Sequence, residues 1–312
     1  MKILITGAAG NLGSLLARHL LSQETGQLRL MVFRRDVPDD LKIAGKTEIV
    51  RADLSRPETL PAAVKGVDVI VHFAGVPFKA NPERFLGTTN TLYFKNLVDA
   101  AKENRVRRII LISFPHVEGP TSIEKPAKGR LDGIPISVHA KTRLEEEKYL
   151  FANVPVPISL RVGMVYGRGI LMIDAAGWLA RHRLLGVWKE RTQIHLISKD
   201  DFCAACAAAI ANSAASGIYH LGNEGNVSLQ EFLNLACRQW EVGRPWVMPL
   251  WLIYTAAGLC ELYSRFTGSM SPLTRDFIDI GRVPYYGDTE RMRKDLLPVL
   301  KYRTIADGIS TL

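Results

Sequence analysis

The sequence predicts an α/β fold, a doubly wound parallel sheet with a smaller, interleaved C-terminal α/β lobe. Three observations predict it. The chain opens on a short apolar run, Lys2-Ile3-Leu4-Ile5, that enters a glycine-spaced turn and then a helix-period series, Leu12, Leu15, Leu16 and Leu20. Apolar runs of strand length then alternate with helix-period segments as far as Ser113. With 312 residues and 47% hydrophobic content the chain can bury a sizeable core, as one large unit or as a larger unit with a smaller companion.

The opening turn, Thr6-Gly7-Ala8-Ala9-Gly10-Asn11-Leu12-Gly13, sits between strand and helix, the context in which such spacing means phosphate binding. Gly7 allows the tight turn, Gly10 lets the backbone approach a pyrophosphate, and Gly13 lets the helix pack on the strand. The bare N–H groups of Gly7, Ala9, Gly10, Asn11, Leu12 and Gly13 form the candidate seat, and the predicted ligand is a dinucleotide. A Rossmann-type sheet follows.

Leu28 to Phe33 reads as the second strand. An acid at its end would bind an adenosine ribose hydroxyl, whereas an arginine accommodates a 2′-phosphate. Arg34 and Arg35 occupy that corner and no acid appears before Asp36, so NADP(H) is favoured over NAD(H). Glu48 to Leu54 reads as strand three, and Pro57 to Val64 starts as a helix. Val67 to Gly75 is a buried fourth strand ending in small residues, which leave room for a ligand. A long helix over about 82–104 and a fifth strand ending at Ser113 complete the regular half.

Lys and Arg total 40 against 31 Asp and Glu, a net charge of +9 that suits an anionic partner. The basic residues are scattered without a nucleic-acid motif, so no nucleic-acid binding is expected. Cys203-Ala-Ala-Cys206 has metal spacing but lacks a second pair or a histidine cluster, and the four cysteines read as buried thiols with no metal. The N-terminus enters a strand directly, without a signal peptide, and a cytoplasmic location is expected. The apolar stretch Trp246 to Cys260 contains Pro249 and is too short to span a bilayer. It reads first as a buried or groove-lining helix; the second reading is a peripheral membrane contact through Trp246, Trp251 and Tyr254.

The motifs together resemble the extended or atypical short-chain dehydrogenase/reductases, also called the NAD-dependent epimerase/dehydratase family. They are Thr6 to Gly13 in its TGxxGxxG form, Asp53-Leu54, His72 to Gly75, Asn90, Ser113, and Arg161 to Gly167. Lys199-Asp200-Asp201, Gly217 to Gly222 and Ser228 to Phe232 extend the similarity over nearly the whole chain. The resemblance implies that Asp53 and Leu54 meet the adenine, Phe73, Ala74 and Gly75 the ribose and pyrophosphate, and Val162, Gly163, Met164 and Val165 the nicotinamide side.

It also implies a Tyr-x-x-x-Lys pair and a hydroxyl after strand five, because hydride transfer needs an acid/base for the hydroxyl proton. Here the pattern departs. Lys141 fits the lysine, to orient the ribose, but Ser137 stands four residues before it. Tyr149 lies eight residues beyond, roughly 12 Å along a helix axis, and cannot replace the tyrosine. Ser113 is followed by Phe114 and Pro115 where relatives keep the hydroxyl. His116, in the loop beyond strand five, is the other candidate acid; His139, about 200° around a helix from Lys141, reads as a satisfied core or surface histidine.

Three functions compete: an NADP(H)-dependent oxidoreductase moving a hydride to or from a small apolar carbonyl or alcohol, a non-catalytic NADP(H)-binding sensor or assembly subunit, and a nucleotide-sugar epimerase or dehydratase. The expected division is 1–165 for the dinucleotide and 166–312 for the substrate, with segments near 190–221 returning to the sheet. Trp178, Trp188, Trp246, Met248, Trp251, Tyr254, Tyr285 and Tyr286 tilt the second part toward an apolar substrate. Ser228 and Glu231 have capping-box spacing. The resemblance implies a homodimer through the helices near 82–104 and 140–152, although Glu145 to Glu147 reads equally as a solvated face.

Overall fold

Strands buried on both faces need apolar residues at every position, and the first strand, β1 (Lys2–Thr6), has them: Ile3, Leu4 and Ile5 are all fully buried. A computed structural model of the chain describes residues 1–75, 80–267, 271 and 273–312. The further sheet strands are β2 (Gln27–Val32), β3 (Thr47–Arg51), β4 (Val69–His72), β5 (Arg108–Ser113), β6 (Val156–Val162) and β7 (Gly217–Leu221). All seven are parallel, in the order β7-β6-β5-β4-β1-β2-β3. The chain's direction of travel across the sheet reverses between β1 and β4, where Ile5 is in register with Val71 and Thr6 with His72. In open α/β sheets ligands bind outside the carboxyl ends of the strands at such a switch point.

The period of two along β1 divides the core. Ile3 and Ile5 join one cluster with Leu16 and Leu20 of α1 (Asn11–Ser22) and with Phe202 and Cys206 of α6 (Lys199–Ala211). Leu4 faces the other cluster, with Leu60 of α2 (Leu60–Val64), Phe94 and Leu97 of α3 (Tyr93–Glu103), and Leu150 of α4 (Val138–Asn153). Each such side chain contributes about 1.5–3 kcal/mol on burial.

The expected helix over 82–104 is not uniform. It starts as a 3-10 turn, Pro82–Arg84, and runs through a π-helical segment, Gly87–Leu92, before α3. Gly87-Thr-Thr-Asn-Thr is poor in helix formers, and its side chains bond elsewhere: Asn90 Nδ2 donates to Thr142 Oγ1 at 3.3 Å.

The lobe adds α5 (Leu171–Arg181), α7 (Leu229–Gln239), α8 (Leu250–Thr267) and α9 (Arg275–Gly281) with pairs of short strands. The Ser228–Glu231 capping box starts α7. The expected strand over 193–197 is broken at His195, whose carbonyl accepts from Met164 N at 2.8 Å. Cys203, Cys206 and Cys237 are buried, and Cys260 is half-buried. Among the described residues no group of three or more His, Cys, Asp or Glu could hold a metal, and no helix is long and apolar enough to cross a membrane.

The buried-helix expectation for the Trp246 to Cys260 stretch is corrected. Only Ile253, Ala257 and Glu261 of α8 are buried, while Trp251, at 68% exposure, Leu259, Leu262, Tyr263 and Phe266 face outward. Composition marked the stretch as apolar but could not say that just one stripe finds a partner.

Candidate active site

The glycine turn is built from close approaches. Gly7 has φ +68°, where only glycine is at ease, and a Cβ on it would stand 3.0 Å from the Ala74 amide nitrogen. A Cβ on Gly13 would stand 2.5 Å from the Gly7 carbonyl oxygen. No side chain caps α1 at Gly10 and no acid lies in its first turn, so the helix start is open to an anion, although the Gly10 amide itself donates to Gly7 O at 2.8 Å. Ala9 and Leu12 pack against the core. Asn11 differs from expectation in its side chain: Nδ2 donates to Gly169 O at 2.7 Å and Oδ1 accepts from Leu171 N at 3.0 Å, which leaves its backbone amide for a phosphate.

At the end of β2, Arg34 and Arg35 are exposed. Arg34 lies over the Phe33 ring at 5.1 Å, and Arg35 has no polar partner among the described residues. Asp36 is occupied: it is 3.1 Å from Lys42 Nζ, and that contact leads in holding its carboxyl below the usual range. Asp53 Oδ1 accepts from the Ser55 amide and hydroxyl, and Leu54 packs on the second core cluster. Phe73 packs edge-on to Phe202. Val162 and Val165 are buried and Met164 is half-buried beside them, while Gly163 abuts the His195 carbonyl.

Helix α4 corrects the choice of lysine. Lys141, Glu145 and Lys148 form its exposed face, so Lys141 points to solvent, and Ser137, which caps the helix by accepting from Ala140 N, is structural. Arg143 lies on the inner side. Its guanidinium would stand 2.8 Å from a Cβ on Gly75, at the mouth of β4, and its charge is second only to burial in lowering the His72 pKa to about 3. The helical phase, set by buried Ala140, Leu144 and Glu147, puts Arg143 and not Lys141 on the inner side.

Ser113 is also corrected. Its hydroxyl donates to Glu147 Oε1 at 2.5 Å, and the same carboxylate accepts from Ser159 and Arg161. It therefore belongs to a buried ion-pair network that the Glu145 to Glu147 run concealed. His116 donates Nε2–H to Val283 O at 3.0 Å, and burial pulls its pKa to about 4, so it is neutral and poorly suited to giving up a proton. His139 lies between the sheet and the lobe. Its ring is 6.4 Å from that of Phe114, and its Nδ1 is 2.9 Å from Asp276 Oδ2 on α9, close enough for an ion pair but out of line for a hydrogen bond.

A dinucleotide fits these residues. Beside Gly75, the buried Asn90 Oδ1 lacks a hydrogen-bond partner and stands 3.8 Å from where a Cβ would be, next to Arg143, whose Nη1 donates to Glu146 Oε2 at 2.6 Å. Buried polar atoms of this kind are costly unless something meets them.

His72, His116 and His195 predict acid sensitivity. Burial lowers His72 to about 3 and His116 and His195 to about 4, so the folded chain keeps them neutral. Unfolded histidines take up protons near pH 6.5, so their contribution is full above that pH and is lost as pH falls toward 4. Each should cost roughly 2 kcal/mol by pH 5. Urea unfolding at pH 7.5 and pH 5 tests this; equal midpoints would contradict it.

Residues 7–147 match a family described as NAD(P)H-binding. The 2-alkyl-3-oxoalkanoate reductase of Stenotrophomonas maltophilia is 26% identical over 95% of this chain and 93% of that protein. The uronate dehydrogenase of Pseudomonas syringae pv. tomato is 34% identical, over 38% of this chain and 41% of its own length. Among solved structures, UDP-glucuronic acid 4-epimerase from Bacillus cereus, in complex with NAD, superposes with a TM-score of 0.77, at 18% identity over 100% of this chain and 97% of that one, a likeness of fold. The chain carries an NAD(P)-binding Rossmann domain. Its relatives of known or suggested activity include reductases and dehydrogenases.

Proposed function

We propose that this chain is an NADP(H)-dependent oxidoreductase that reduces a small apolar ketone. The observation that carries the cofactor choice is the corner after β2, where two exposed guanidiniums stand open while the nearest acid is held by Lys42. The bound dinucleotide supplies the hydride. The α1 amides hold its diphosphate, Arg34 and Arg35 pair with the 2′-phosphate, and the sheet mouth orients the rest. For the substrate, Ile134 and Ile136, at 85% and 60% exposure, stand just before His139 and offer an apolar approach. The full-length similarity to a 2-alkyl-3-oxoalkanoate reductase supports the same class.

Titration with NADPH and NADH tests the corner. A charge-assisted contact contributes about 1.5–3 kcal/mol, so Arg34→Glu with Arg35→Glu should weaken NADPH at least tenfold and leave NADH nearly unchanged. Tighter NADH binding by the unaltered chain would refute the assignment. Oxidation of NADPH by 3-oxoalkanoates separates the enzyme from a sensor, which would bind without turnover.

A further inference from the structure

We propose that His139 is the proton donor and that Arg143 holds the ribose of the nicotinamide, so that His139-x-x-x-Arg143 replaces Tyr-x-x-x-Lys. Four residues separate the two, one helical turn, so they share a face of α4. That face is the inner one. Arg143 reaches the mouth of β4 beside the glycine turn, where unpaired Asn90 Oδ1 also lies. His139 stands beside Phe114, the residue that follows β5, one strand further along the same sheet edge.

The groups around His139 define its working nitrogen. Asp276, from α9, faces Nδ1, the Phe114 ring lies 6.4 Å from the imidazole, and neutral His116 is 5.0 Å from that same Phe114 ring. Nε2 has no hydrogen-bond partner among the described residues. With Asp276 beside Nδ1, the ring presents Nε2 to a substrate as the donating nitrogen. As hydride from the dinucleotide reaches the carbonyl carbon, the π pair of C=O moves to oxygen, the His139 Nε2–H bond breaks, and an O–H bond forms. The ketone is reduced, the dinucleotide is oxidised, and the neutral imidazole regains a proton from water. Asp276 acts as a positioning residue supplied by the lobe.

The part assigned to His139 rests on the reductase reading; that of Arg143 requires only dinucleotide binding. Fluorescence titration with NADPH should show Arg143→Ala weakened at least tenfold, Arg143→Lys largely restored, and Lys141→Ala within twofold of the unaltered chain. His139→Gln should lose about 100-fold or more in kcat on a 3-oxoalkanoate with NADPH affinity unchanged. In histidine-labelled protein, NMR should show the His139 ring resonances moving on addition of NADP⁺ and altered in Asp276→Asn. Greater loss of affinity in Lys141→Ala than in Arg143→Ala overturns the role of Arg143. Undiminished kcat in His139→Gln, or His139 ring resonances indifferent to NADP⁺, overturns that of His139. An unaltered chain that binds NADPH but turns over no ketone removes the reductase reading and the His139 assignment with it, while the titrations still decide Arg143.

Discussion

Gly13→Ala is expected to weaken NADPH binding by about 100-fold or more, equivalent to ~2.7 kcal/mol. The added methyl would lie 2.5 Å from the Gly7 carbonyl oxygen, 3.0 Å from its carbon and 3.2 Å from Ala8 Cα, all backbone atoms with no rotamer to escape through. Relief requires α1 to move away from the turn, and the amides that should face the diphosphate move with it. Gly87→Ala is the control, because nothing lies within 4 Å of a Cβ there. Titration of both variants, with a thermal melt of each, separates lost affinity from lost folding. Gly13→Ala binding within threefold of the unaltered chain would rule out the phosphate role of the turn.

Arg161→Met should destabilise the fold by about 3–5 kcal/mol. The arginine is fully buried; Nε and Nη2 donate to Glu147 at 3.0 and 2.6 Å, Nη2 also donates to Arg130 O at 2.7 Å, and Nη1 pairs with Glu118. Without it two carboxylates stay in the interior with their main cation gone. The surface offers the contrast. Arg303 pairs with Glu224 at 2.7 Å, but its side chain is 69% exposed, so Arg303→Ala should leave the unfolding midpoint nearly unchanged. Equal losses in thermal unfolding for the two variants would show that the buried network does not carry the weight given to it.

The sheet was legible because burial on both faces forces unbroken apolar runs, and the strands of the first half lie within a few residues of their expected places. The glycine turn was legible for a different reason: its chemistry is made by backbone, so the sequence records it as missing side chains. The catalytic face of α4 was not, because Lys141 matched by residue type while only helical phase, set by what packs against the sheet, could bring Arg143 inward. Asp276 lies more than 130 residues beyond His139, and no local pattern joins them. Likewise Ser113 looked available until its carboxylate partner was seen, since a run of three glutamates does not say which one is buried.

Asn11 has an implication for how the molecule works as a unit. Its amide clasps the backbone at Gly169 and Leu171 from the very residue that begins α1. The glycine turn and the segment that starts the C-terminal part are thus pinned to each other by a single side chain.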